Sequence, residues 1–380
     1  MTARGRLWIG RLVALALAVA CVAHVPAAAC ARRADGFLAG DVGDQRELGR
    51  GARAWLEQDP ATLAFHTGSP RFDGEWYLII HMAAALGFAQ TALEHAELRA
   101  EHAPLVARAI DRMLLPAGRA HDVDAWGEDP VESLDRDANG HLAFLGYANL
   151  ALSMHRRLDA ASRFAPLNDA ITAALARRFD ASHAVLLESY PGETYPADNA
   201  AALASIVLHD RACGGDHPVT TRVLAALRER FTDARSGLLY QRVDSSTGAP
   251  RDRPRASGTA MAAFLLGYAG DDLARPWWDA LARQWDTVLG FGGAREYARG
   301  EAGGGDVDSG PVLLGIGVSA TAFGIAGARR FGDAERYRSA FASAWLFGLP
   351  RETDGVLRFT AGGPLGDVLL FAVLTAGAGR

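Results

Sequence analysis

Tyr190-Pro-Gly-Glu-Thr-Tyr-Pro-Ala-Asp-Asn199 runs directly into Ala200-Ala-Ala-Leu-Ala-Ser-Ile-Val-Leu-His-Asp-Arg211, and the reading of this junction decides the fold. The first half is a proline-bounded loop carrying two tyrosines and two carboxylates. The second half puts small and apolar residues on nearly every face of a helix, the pattern of a helix buried on all sides. Asp198 and Asn199 stand where that helix begins, which makes both N-cap candidates at the positive end of its dipole.

The same grammar recurs in both directions. Nearly uncharged, alanine- and glycine-rich helices are expected at 75–93, 140–154, 198–208, 257–269, 311–328 and 364–376. Amphipathic helices with one charged face alternate with them at 46–58, 104–115, 166–179, 218–231, 274–289 and 334–347. The uncharged helices start at intervals of roughly 53 to 65 residues, the mark of one supersecondary unit repeated. Connections from charged to uncharged helix are long (59–74, 116–139, 180–197, 232–256, 290–310, 348–363), whereas returns such as 270–273 and 331–333 are short. Short returns make antiparallel neighbours, so every long loop falls on one rim. The expected fold is all-α: six helical hairpins over 44–380, closed into an inner ring within an outer one. An open solenoid is the competing arrangement. A membrane-spanning reading of 311–328 is weakened because most of the other uncharged segments fall short of the ~20 residues a span needs.

With this pattern the sequence resembles the six-hairpin (α/α)6 toroids, a superfamily that includes glycoside hydrolases, uronyl-sugar hydrolases and epimerases, and linalool dehydratase-isomerase. The resemblance is architectural and covers residues 44–379. It implies a funnel on the loop rim and a sugar or small-alcohol substrate.

Composition narrows the chemistry. At 380 residues, 49% of them hydrophobic, the chain can bury a large core. A net charge of -5 without a basic stripe argues against nucleic acid as a partner. Lysine is absent from the chain, which excludes a Schiff-base lysine, a phosphate-loop lysine and a Ser-Lys dyad. The N-terminus carries Arg4, Arg6 and Arg11, an apolar run over 12–25 and small residues to Ala31. Residues 1–31 therefore read as a signal peptide and 32–43 as a linker, with export to the periplasm or beyond. Cys21 and Cys30 each follow a lipoprotein-like processing sequence, so lipid attachment through either is a further expectation. Within the ring Cys213 stands alone, which gives no disulfide framework and no cysteine-rich zinc site. Neither metal nor cofactor is expected.

The rim gathers acidic and aromatic side chains, as a sugar site requires: ring faces stack on pyranoses and carboxylates bond hydroxyls and move protons. The catalytic candidates are Glu75, Asp198, Asp308 and Asp124. Asp198 at a helix start reads as base or substrate anchor, and Glu75 beside Trp76 and Tyr77 as an acid raised by apolar neighbours. Substrate-binding candidates are Trp76, Tyr77, Trp126, His141, Tyr190, Tyr195, Asn199 and Arg255. Each has a plainer reading as a cap or packing residue; Asp306 and Asp308 would then cap the fifth inner helix. His81 reads as a core histidine, His155 and His209 as caps of helix C-termini, and Trp277, Trp278 and Trp285 as packing on an outer helix. The leading functional expectation is an exported glycosidase or uronyl-sugar enzyme working on a small-molecule or oligosaccharide substrate. A cofactor-free lyase or isomerase of small alcohols and a non-catalytic glycan-binding scaffold are the alternatives.

Overall fold

The computed structural model describes residues 3–59, 62–63 and 65–377. The junction at residue 195 becomes helix as its sequence demands. Pro196 occupies the first helical position, where its fixed φ suits the turn, and Gly214 ends the helix in the left-handed region at φ 69°. Asp198 and Asn199 lie inside the first turn, with Tyr195 as the capping residue, so neither is the N-cap expected of it.

In chain order the helices are α1 (Ala3–Cys30), α2 (Ala34–Ala39), α3 (Val42–Leu56), α4 (Pro70–Glu94), α5 (Arg99–Met113), α6 (Pro116–Trp126), α7 (Leu142–Leu158), α8 (Ala165–Ala181), α9 (Pro196–Cys213), α10 (Val219–Glu229), α11 (Ala256–Ala269) and α12 (Asp271–Arg283). Two antiparallel hairpins follow, β1 (Trp285–Val288) with β2 (Phe291–Ala294) and β3 (Val312–Leu313) with β4 (Ile316–Gly317). Helices α13 (Val318–Arg330) and α14 (Ala334–Gly348), the hairpin of β5 (Pro350–Thr353) and β6 (Val356–Phe359), and α15 (Gly363–Leu374) complete the chain.

The uncharged helices α4, α7, α9, α11, α13 and α15 pack each on the next, and α15 packs back on α4. That last contact closes the ring and excludes the open solenoid. Its seam is tight: a Cβ on Gly87 of α4 would lie 2.6 Å from the ring of Phe371 on α15. Gln90 fastens the same seam, donating to Ala372 O and Thr375 Oγ1, while Tyr268 of α11 donates to its Oε1 at 2.8 Å. The amphipathic helices α3, α5, α8, α10, α12 and α14 form the outer layer. The fold is an all-α (α/α)6 toroid.

Four local expectations are corrected. Residues 32–43, read as a linker, contain α2, whose Phe37 is fully buried against Phe341. The outer helix expected over 274–289 stops at Arg283, and Trp285 starts a strand, still packing on Trp278. The inner helix expected from residue 311 begins only at Val318, after the β3–β4 hairpin. The loop 116–139 contains α6. Among the described residues, α4 is the helix long and apolar enough to cross a membrane, and it lies inside the ring.

Candidate active site

Inner-helix N-termini and the long loops meet on one rim, and carboxylates converge there. Glu75 lies in the second turn of α4, half-buried, and accepts a hydrogen bond from Tyr190 Oη at 2.8 Å. Asp198 of α9 is buried and accepts hydrogen bonds from Ser189 Oγ at 2.6 Å and from the Tyr147 hydroxyl of α7. Enclosure, then repulsion from Asp198 and Asp308, pushes the Glu75 carboxyl up to about 8. Burial also raises Asp198, but its two hydroxyl donors oppose the shift by stabilising the anion. The charge of Asp198 is one of the causes that hold the proton on Glu75.

Asp308 hangs over the same space. Asp306 and Ser309 close a reciprocal turn, each side chain bonding the other's backbone N–H at 2.9 Å, and Asp308 projects from it. Desolvation, with Asp306 and Asp198 repelling it, raises its carboxyl to about 7. Because Asp308 also meets solvent, water screens part of that effect. Neither Asp306 nor Asp308 caps the fifth inner helix, which follows Gly317.

The loop before α9 supplies the next layer. A bridge between Tyr190 and Glu193 folds it back, Gly192 taking the left-handed φ of 74° at the tip. A second bridge, Thr194 to Val243, stitches it to the following rim loop. Tyr195 Oη donates to Glu193 Oε2 at 2.8 Å, and Arg71 donates to Glu193 Oε1 at 3.0 Å while lying 4.8 Å over the Tyr190 ring. His121 packs edge-on to Tyr190; it is buried, both ring nitrogens lack a hydrogen-bond partner among the described residues, and desolvation lowers it to about 4.

The remaining candidates lie elsewhere. Trp76 packs on Phe65, and Tyr77 turns its buried hydroxyl toward the field of Arg112 and Asp59. Successive helical residues point about 100° apart, so neighbours of Glu75 in sequence are not its neighbours in space. The carboxyl is raised by enclosure and by other acids rather than by those two rings. Asp124 is exposed, with no hydrogen bond or ion pair among the described residues; Asp122, two positions earlier on α6, is the one turned inward. Asp122 bonds His141 Nδ1 at 2.6 Å, Glu128 bonds its Nε2 at 3.1 Å, and Trp126 packs on the ring. His141 is thus wholly enclosed and clamps the α6 segment to α7 instead of facing the funnel. Asn199 pins the loop, bonding Leu187 N, Leu187 O and Tyr195 O. Arg255 is buried between Glu296, at 2.8 Å, and Asp306, and braces the turn that presents Asp308.

Arg71, Tyr147, Ser189 and His121 were not singled out in the sequence. Only the position of Arg71, one turn before Glu75 on the same helix face, offered a signal. Cys213 ends α9 at the opposite rim, about 22 Å along the helix from Asp198 at 1.5 Å per residue. His81 is a satisfied core histidine: its Nδ1–H donates to Tyr77 O at 2.7 Å.

No family model and no curated protein matches the chain in sequence. Solved structures match its fold. One is the GH76A alpha-1,6-mannanase from Salegentibacter sp. HEL1_6, at 14% identity and TM-score 0.52 over 89% of this chain and 98% of that one. Another is an unsaturated glucuronyl hydrolase specific for heparin, at 10% identity and TM-score 0.53 over 90% and 97%. A family 105 glycoside hydrolase of C. acetobutylicum ATCC 824 matches at 12% identity and TM-score 0.50 over 87% and 98%. At such identities the likeness is one of fold.

Proposed function

We propose that this chain is a carbohydrate-active enzyme, a glycosidase or uronyl-sugar hydrolase, with Glu75 as proton donor and Asp198 as its ionised partner. One observation carries the reading: the Glu75 carboxyl, pushed up to about 8 by enclosure and by the charges of Asp198 and Asp308, lies in the field of an Asp198 that accepts two hydroxyl donors. Cleavage of a glycosidic bond requires such a pair, one acid and one base or nucleophile. Glu75 gives its proton to the leaving oxygen, and the Asp198 carboxylate activates water or attacks the anomeric carbon. Tyr190 steadies the Glu75 anion left behind, and His121 and Arg71 offer a sugar polar contacts beside it. The neighbours in fold support the substrate class, since one is a mannanase, of which a variant was crystallised with alpha-1,6-mannotriose, and another a glucuronyl hydrolase.

The test is turnover of neutral and acidic oligosaccharides by the wild type, Glu75→Gln and Asp198→Asn. Each substitution is expected to reduce kcat by about 10²–10⁴, the usual contribution of a positioned acid or base. Sugar binding without turnover by the wild type across both panels would replace the enzyme with a glycan-binding module. Turnover of small alcohols alone would favour the lyase or isomerase. Export through residues 1–31, with lipid on Cys21 or Cys30, belongs to the same proposal. Cell fractionation and fatty-acid labelling of Cys21→Ala and Cys30→Ala chains test it.

A further inference from the structure

At the rim opposite the funnel, three side chains of different chemistry point at one another. His209 and Cys213 lie one turn apart on α9, so both side chains leave the same face of the helix. Asp169 of α8 faces them. His209 Nε2 lies 2.7 Å from Asp169 Oδ1 and 3.7 Å from Cys213 Sγ, and the donor atoms of all three fall within 4.8 Å of one another. Ligands at about 2.0–2.3 Å around a tetrahedral zinc ion are separated from each other by about 3.3–3.7 Å. The 3.7 Å from Nε2 to Cys213 Sγ already matches that geometry, and the exposed Asp169 side chain reaches it by opening its 2.7 Å hydrogen bond by about 1 Å.

A second shell is already in place. Asp210 Oδ1 stands 3.5 Å from His209 Nδ1, which has no hydrogen-bond partner. Asp210 is itself held by His217, whose Nδ1 approaches Oδ1 at 2.5 Å and whose backbone N–H donates to Oδ2 at 3.0 Å. A carboxylate behind one ring nitrogen fixes the tautomer and turns the other nitrogen into a ligand, the arrangement that supports metal-bound histidines. With the proton on Nε2 the 2.7 Å contact is a hydrogen bond to Asp169 Oδ1; with the proton on Nδ1, facing Asp210, Nε2 is free to take a metal ion. Arg156 also pairs with Asp169 and offsets the charge of a thiolate–carboxylate pair. His209 is expected to cap α9, yet its ring meets Asp169 of α8 and Cys213 of its own helix instead.

We propose that Asp169, His209 and Cys213 form a zinc site joining α8 to α9, with the fourth position open to water. Thiolate, imidazole and carboxylate together suit this borderline-soft ion. The site lies about 16 Å from Asp198, counted as eleven residues of α9, and is independent of the proposed sugar chemistry.

The test uses the full chain carrying Cys21→Ser and Cys30→Ser, so that Cys213 is its sole thiol, stripped with a chelator and titrated with Co2+ and Zn2+. One equivalent of Co2+ should bind with a thiolate-to-cobalt charge-transfer band and tetrahedral d–d absorption, and Zn2+ should bleach both. Adding Cys213→Ser should abolish the band. Asp169→Asn should weaken binding at least tenfold, and Asp210→Asn by about 10-fold or more, as second-shell changes do. Because Cys213 and Asp169 are exposed, both variants keep the core, and unchanged circular dichroism verifies folding. The proposal is overturned if no thiolate–cobalt band develops, or if the band survives Cys213→Ser. It is likewise overturned if Asp169→Asn binds as tightly as the parent.

Discussion

Glu75 carries the most consequence per atom. Its carboxyl is raised from 4.5 to about 8, so across that interval the folded chain keeps a proton that the unfolded chain has released. Stability then falls as pH rises, by about 1.4 kcal/mol per unit from this group, and the contribution is complete only below the unfolded value. Glu75→Gln should lie closer to the wild type in Tm at pH 5 and above it at pH 8, with the gap widening between; thermal melts across that range measure it. Activity should fall along a basic limb near pH 8 as the donor ionises. Tyr190 bonds the charged form of Glu75 and lowers its pKa, so Tyr190→Phe should move that limb to higher pH. That Glu75, Asp198, Asp308, Tyr190 and Tyr195 gather at one rim was legible because each stands in a long loop or at an inner helix start. Trp76 and Tyr77 adjoin Glu75 in sequence but not in space, because a helix rotates each step away, and Asp124 faces outward because its stretch is the helix α6 and not a loop. His141 misled for another reason: no pattern in the sequence told that Asp122 and Glu128 would enclose it from both sides.

At the level of elements, the inner helices touch where side chains are absent or small. Gly87→Ala would push a methyl into Phe371 at the closing seam; overpacking of this kind costs about 1–3 kcal/mol, to be read as a lower denaturant midpoint. Buried polar groups fix the register of α7, α8 and α9. Asn149 donates to Thr172 and Ser205, and Asn168 donates to Asn149 and Ser153. Asn149→Leu should destabilise by about 2–4 kcal/mol in the same assay, because several buried partners lose their bonds at once. Helix identity was readable from composition alone, since inner helices lack charge and outer ones carry it. The three β-hairpins were not, being short inserts whose strands of two to four residues leave no alternation to detect. The zinc proposal shows the same gap between count and place. One cysteine offered no framework; helical spacing sets it beside His209 on α9, and the approach of α8 adds Asp169.

For the whole molecule, stability rests on closure. Helix α15 buries Val368, Phe371, Val373 and Leu374, each worth about 1.5–3 kcal/mol, a sum comparable with the 5–15 kcal/mol that holds a typical protein folded. A chain ending at residue 362 should therefore expose α4 and α13, bind hydrophobic dye and aggregate. Length, six-fold recurrence and loop asymmetry sufficed to foresee the ring, because short returns force neighbouring helices to be antiparallel. A ring, once shut, has no first helix. The chain enters it at α3 and leaves it at α15, and those two helices pack side by side, so the order of the hairpins along the gene is a convention that the folded object does not enforce. Joining the two ends and reopening the chain in the tight return at 331–333 should yield a permuted protein with the same funnel, assembled from a different starting point.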